Sequence, residues 1–225
     1  MAFVGEHLRV VAGSLGRGEP LAAQVALARS AERRMHVHFR SNTHKGAMFL
    51  GGVLLAARGR APAGGEEETR AAVVSVARDL EPLVEPERTH GAAVRARYGV
   101  GGILREVRAG LPSLFDVALP AYRRAVARGE AGDVPSFRAL ASLMRTVEDT
   151  TALHRCGQAG LAVLREDGAR LDAALDAGAA ADFLRARSEA YRAMNLTMGG
   201  VADLLGVAHG WLADRGELLP PSSAR

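Results

Sequence analysis

The sequence predicts an all-α protein: a helical bundle whose ligand-facing groups gather at Gly-rich helix ends. Three observations carry that prediction. Ala, Leu, Arg and Glu dominate the chain, and these are strong helix formers. Apolar residues recur at helical spacing throughout, and strand-like alternation never exceeds four residues. No repeat of constant length is present.

Taken in order, the first helix is expected over about Phe3–Ala12 and the second over Leu21–Phe39. The segment from Gly46 to Ala57 is almost wholly apolar, as in the central helix of a bundle. Gly59–Gly65 is the clearest loop, and Glu66-Glu67-Glu68 after it suit the start of a helix reaching about Leu80. A helix over about Glu87–Arg97 should stop at Gly99, with short pieces beyond it broken by Gly101, Gly102, Gly110 and Pro112. Further helices are expected over Ser113–Arg128, Pro135–His154, Gly157–Leu175, Ala180–Met194 and Val201–Ala213. One domain over residues 1–218 and a disordered tail over 219–225 complete the expected organisation.

The composition narrows the function. A chain of 225 residues with 48% hydrophobic and 24% charged residues can bury a full core. Aromatics at 4% leave few platforms for stacking nucleic-acid bases. A net charge of +4 and a pI near 9.9 suggest an anionic partner. The single Cys156 excludes an internal disulfide framework and a Cys-based zinc cluster, and fits a reducing cytoplasm. Met1–Gly13 carries Glu6, His7 and Arg9 and does not read as a signal peptide. The longest uncharged run, Gly46–Ala57, is too short to span a bilayer. A cytoplasmic protein without a membrane partner is expected.

One residue stands apart. Lys45 is the only lysine among 29 basic side chains, and Asn42 beside it is one of two asparagines. An ammonium is a compact point charge suited to phosphate oxygens, whereas guanidinium is a rigid planar fork. Lys45 falls in Ser41-Asn42-Thr43-His44-Lys45-Gly46, at the expected start of the most apolar helix. Exposed N–H groups and the helix dipole there would favour an anion. Capping by Asn42 or Thr43 is the plainer reading, and it leaves His44 and Lys45 unexplained.

Three other segments combine Gly with reactive side chains. His90-Gly91 leads through Arg95 and Arg97 to Tyr98-Gly99-Val100-Gly101-Gly102 and Arg105-Glu106. It matches neither a Rossmann nor a P-loop pattern, and a tight inter-helix turn or a ligand loop would both suit it. Glu148-Asp149-Thr150-Thr151, then His154-Arg155-Cys156-Gly157, is expected within a helix and at its end. Its acids and His fit magnesium binding or proton transfer beside phosphates, or else an exposed charged face. Asn195–Gly200 with Asp203 reads as a Gly-broken helix entry. His36 and His38, two residues apart on a helix, point to nearly opposite faces and do not make a metal site.

Together these segments resemble the triphosphoribosyl-dephospho-CoA synthase family. The family's G-V-N-T-H-[KR]-G signature is matched by Arg40-Ser41-Asn42-Thr43-His44-Lys45-Gly46, preceded by Ala31-Glu32-Arg33-Arg34-Met35 for Ala-Glu-x-x-Met. Its central region is matched by His90-Gly91, Tyr98-Gly99, Gly102, Arg105-Glu106 and Gly110-Leu111-Pro112. Its D-D-T-x-x-x-H-R-x-G element is matched by Glu148-Asp149-Thr150, His154-Arg155 and Gly157, and its G-G-x-A-D-L-L element by Gly199-Gly200-Val201-Ala202-Asp203-Leu204-Leu205. The resemblance covers about Ala28 to Leu212. The long central element is closer to the malonate decarboxylase branch than to the citrate lyase branch. Departures are Arg40-Ser41 for Gly-Val, Glu148 for the first Asp, Cys156 for a Gly after the His-Arg pair and Met198 for the usual Pro. The family's N-terminal Gly-Ala-His…Asp-Met element has no counterpart in the 225 residues.

The resemblance implies a transferase that moves the 5-triphosphoribosyl group of ATP to 3′-dephospho-CoA with release of adenine. The product would serve the acyl carrier protein of malonate decarboxylase or citrate lyase. It implies catalytic groups among His44, Glu148, Asp149 and His154, and magnesium accompanying ATP on Glu148 and Asp149. Substrate contacts would come from Glu32, Asn42, Thr43, Lys45, Gly46, His90, Tyr98, Gly102, Arg105, Glu106, Arg155 and Asp203. ATP and 3′-dephospho-CoA are the expected partners, nucleic acid is not, and a homodimer is one assembly open to the chain. Two alternatives stand beside this reading: a nucleotide-binding relative acting on another acceptor, and a non-enzymatic Arg-rich helical binder.

Overall fold

The computed structural model describes residues 2–39, 44–83 and 90–220. Among these residues there are eleven α-helices and no strand, so the protein is all-α as its periodicity predicts. No helix is long and apolar enough to cross a membrane. The helices gather into two compact units, Met1–Arg88 with Ile103–Leu111, and Thr89–Gly102 with Pro112–Arg225.

The first unit contains α1 (Ala2–Gly16), α2 (Leu21–Phe39), α3 (Lys45–Arg60), α4 (Glu66–Leu80) and most of α6 (Gly102–Arg108). Val4 of α1, Ala31 and Met35 of α2, and Met48 of α3 form one apolar cluster, flanked by Phe3, Leu8 and Ala47. The three acids after the Gly65 turn do open α4, and the Glu68 carboxylate returns to accept the Gly65 N–H at 2.9 Å. That acid side chain satisfies an N–H the helix itself cannot.

The second unit contains α5 (His90–Tyr98), α7 (Leu119–Ala127), α8 (Val134–Thr146), α9 (Thr150–Asp176), α10 (Ala180–Ala193) and α11 (Gly199–Asp214). A π-helical turn, Ser113–Ala118, runs into α7. Pro120 explains it: the ring carries no N–H and crowds the carbonyl one turn back, so the helix widens and the Leu119 N–H reaches Leu114 O. Buried residues Ala139, Leu140, Leu143 and Met144 form the apolar stripe of α8, packed on α9. Phe115 meets Trp211 of α11 edge-to-face, with ring centroids 5.1 Å apart. Leu219, expected in a disordered tail, donates its N–H to the Tyr122 hydroxyl at 2.8 Å.

One expected boundary is wrong in an instructive way. The helix predicted over Pro135–His154 ends at Thr146, and α9 begins only at Thr150. Glu148 and Asp149 therefore lie in a short connection, not on a charged helical face. Asp149 makes the break, because its side chain caps α9 by accepting the N–H groups of Thr151 and Ala152. The predicted break at Gly157 is real but local: α9 continues through it with a kink.

Candidate active site

The Glu148–Gly157 stretch is the point where the second, third and fourth sequence segments meet. Asp149 is fully buried. Its Oδ1 accepts Thr151 N–H at 2.8 Å and Ala152 N–H at 3.0 Å, and its Oδ2 accepts Val201 N–H at 2.9 Å, with a further bond from Gly200 N–H. One carboxylate thus closes the N-termini of α9 and α11, where two helix dipoles favour negative charge. Burial pushes its carboxyl above the usual carboxylate range, and the four N–H donors pull the other way.

Both oxygens of Asp149 are engaged by backbone donors, so in this geometry its carboxylate acts as a cap shared by two helices. Among the described residues, no three His, Cys, Asp or Glu side chains are grouped to hold a metal ion. Glu148 differs from its neighbour: it is half-buried, lines an open cleft, and accepts Gly101 N–H on Oε2 at 3.2 Å.

Two glycines make these contacts sterically feasible. Gly102 has φ +56°, and a Cβ there would stand 2.9 Å from Thr150 Cγ2. Gly157 has φ +63° and ψ −159°, a conformation almost confined to glycine. A Cβ on Gly157 would stand 3.4 Å from the Tyr98 hydroxyl. The Tyr-Gly and His-Arg-x-Gly elements, far apart in sequence, are therefore in contact through Tyr98 and Gly157.

The cleft beside this contact has a volume of about 330 Å³. Tyr98, Val100, Leu153 and Leu161 supply aromatic and apolar wall, while Glu148, Gln158 and Arg165 supply polar groups. Gln158, Leu161 and Arg165 were not singled out from sequence, although their spacing along α9 places them on one helical face. Periodicity reveals such a face without saying that Tyr98 lies opposite. His154 and Arg155, on the first turns of α9, are exposed, and Arg155 donates to the Asn195 side-chain oxygen at 2.6 Å. Asp203 is half-buried on α11, and His90 opens α5 with its side chain outside the described residues.

The remaining candidates belong to the first unit. Lys45 begins α3, with His44 at the N-cap making no side-chain capping bond. The Lys45 ammonium pairs with the Glu32 carboxylate of α2 at 3.0 Å, the two side chains being 34% and 27% exposed. Gly46 follows in the first turn of the helix. Arg105 is exposed and Glu106 half-buried on α6, whose C-terminus is closed by the bond from Leu111 N–H to Glu106 O at 2.8 Å. Ser41, Asn42 and Thr43 lie outside the described residues, so the capping reading of Asn42 or Thr43 does too.

Comparison with known proteins accords with these features. The family model for ATP:dephospho-CoA triphosphoribosyl transferase matches residues 4–220. A protein of Pseudomonas paraeruginosa named "Probable 2-(5''-triphosphoribosyl)-3'-dephosphocoenzyme-A synthase" is 36% identical over 91% of this chain and 67% of its own length. An Azotobacter vinelandii protein of the same name is 37% identical over 80% of this chain and 64% of its own length. The chain thus spans about two thirds of the length of the curated relatives it matches. No solved structure matches it. With its motif segments in order along the sequence and a family match running through nearly all of it, the chain belongs to the ATP:dephospho-CoA triphosphoribosyl transferase family.

Proposed function

We propose that this protein transfers the 5-triphosphoribosyl group of ATP to the 2′-hydroxyl of 3′-dephospho-CoA and releases adenine. The product would serve the acyl carrier protein of malonate decarboxylase or citrate lyase. The observation that carries the reading is the meeting of three motif segments around a cleft lined by Glu148 and Tyr98.

In the transfer, the bond from the ribose anomeric carbon to adenine N9 breaks. The 2′-hydroxyl oxygen of the acceptor bonds to that carbon, and its proton leaves to a base and balances the proton adenine takes up. Positive charge develops on the ribose as the base departs, and a fixed carboxylate stabilises it. Glu148 is suited to that task, since Gly101 N–H holds one oxygen at the cleft wall. His154, exposed one turn into α9, is the candidate for proton transfer there, with His44 its counterpart in the first unit. Arg155, Arg105 and Lys45 are the candidate phosphate contacts, and Glu32 would set the position of the Lys45 ammonium. Magnesium enters with the nucleotide as part of the substrate.

The test is chromatographic detection of adenine from ATP plus 3′-dephospho-CoA. Adenine should form only with both substrates, and Glu148→Gln should slow it by about 10²–10³-fold, the loss typical of one electrostatic stabiliser. No adenine from the unaltered chain, or full activity in Glu148→Gln, would sink the assignment.

A further inference from the structure

We infer that the cleft between the end of α5 and the kinked α9 is the purine-base subsite, and that Gln158 reads the 6-amino edge of adenine. This deepens the triphosphoribosyl-transfer reading and rests on it.

The argument starts from what the cleft can hold. Its volume of about 330 Å³ lies at the low end of small-ligand sites, roughly 300–1,000 Å³. Val100, Leu153 and Leu161 with Tyr98 make about half of the lining apolar, beside the polar groups of Glu148, Gln158 and Arg165, a mixed wall that suits a flat heteroaromatic ring with polar edges. A polyphosphate is a poor occupant. Arg165 is the one cation among the lining residues, and the Glu148 carboxylate would repel the phosphate charge.

The polar groups favour one kind of base. A side-chain amide can accept from the adenine 6-amino group and donate to N7 at once. A 6-oxo purine puts an acceptor where the amide oxygen needs a donor. Neither Gln158 nor Ala162 supports the core: both are exposed on α9, so substitutions there probe the cleft and not the packing.

The experiment is calorimetric titration with adenine, tripolyphosphate, ATP and inosine triphosphate. Ala162→Trp fills the cleft and should weaken adenine binding about tenfold or more, while tripolyphosphate binding stays unchanged. Gln158→Leu should bring the affinities for ATP and inosine triphosphate to near parity, from a preference for ATP of about tenfold or more. Adenine affinity that is unchanged in both variants overturns the subsite. Adenine binding that is lost in Ala162→Trp, in a chain that never releases adenine from ATP, upholds the subsite and removes the transfer reading instead.

Discussion

The two units bury polar side chains for different purposes. In the first, such groups bond locally: Gln24 donates to Ser14 at 2.7 Å across ten residues, and Thr69 donates to Gly65 O in its own helix at 2.8 Å. Its long-range polar contacts are mostly exposed, as in Arg34 with Glu6 and Arg60 with Asp79. The second unit does the reverse. Asp149 reaches Val201, the 11%-exposed Arg138 holds Glu130, Asp172 and Asp176, and Arg123 grips Glu217 with two bonds at 2.6 and 3.0 Å. Apolar packing therefore sets the first unit, and ionic contacts decorate it. In the second unit polar bonds tie distant segments together, and those of Asp149 do so at the start of α9, next to the cleft residues Glu148 and Leu153. Substitutions should separate accordingly: at Lys45 of the first unit ligand affinity should move alone, whereas at the buried Asp149 or the kinked Gly157 of the second unit fold and site should move together.

The largest effect should come from Asp149→Ala. It strands several buried N–H groups at two helix N-termini, each costing about 1–3 kcal/mol before relaxation. A total destabilisation of about 3–5 kcal/mol in urea denaturation is expected, with adenine formation lost alongside it. A change below about 1 kcal/mol would show that water replaces the carboxylate and that the contrast between units is overstated.

Lys45→Met should act on affinity and spare stability. Loss of one charge-assisted phosphate contact is worth about 1.5–3 kcal/mol of ATP or tripolyphosphate binding by calorimetry. The Lys45–Glu32 pair is partly exposed, so its removal should change unfolding free energy by less than about 1 kcal/mol. Affinity equal to that of the unaltered protein would remove Lys45 from phosphate binding.

Gly157→Ala tests the kink. Its backbone conformation strains any side chain by about 1–3 kcal/mol, and the new methyl group would stand in contact with the Tyr98 hydroxyl at 3.4 Å. Lower thermal stability and weaker adenine binding should occur together. Lower stability with unchanged adenine affinity would uncouple the kink from the cleft.

The smallest effect sharpens the comparison through pH. Burial, with Arg34 nearby, holds His7 of the first unit below the usual histidine range, and burial alone does so for His209 of the second. Because both are depressed in the folded state, their stabilising contribution is full above about pH 6.5, the unfolded value, and is lost as pH falls through the lower folded values. Added salt should weaken the His7 dependence by screening Arg34 and leave that of His209 unchanged. Denaturation across pH in His7→Gln and His209→Gln checks this, and equal salt sensitivity of the two would contradict it.

Several elements were legible because they depend on local information. The second helix was read over Leu21–Phe39 and the fourth from Glu66, and the structure has both there, since helical spacing, acids after a Gly turn and loop residues act over a few positions. The failure at Pro135–His154 has a tertiary cause. Val147 and Glu148 have no strong helix-breaking character, and the break exists because the Asp149 side chain takes N–H groups from α9 beside it and from Val201 of α11, 52 residues further along the chain.

The same division runs through the candidate site. Sequence alone determined the all-α class, the four polar Gly-bearing segments and the oddity of a single lysine, because composition and spacing are properties of the chain itself. It could not separate the adjacent acids Glu148 and Asp149. Tertiary structure did so by giving Asp149 four backbone donors in the interior and leaving Glu148 at the cleft wall. It also brought Gln158 and Tyr98 to one cavity. Whether a carboxylate meets backbone N–H groups or an open cleft depends on which distant segment folds against it. No local pattern encodes that.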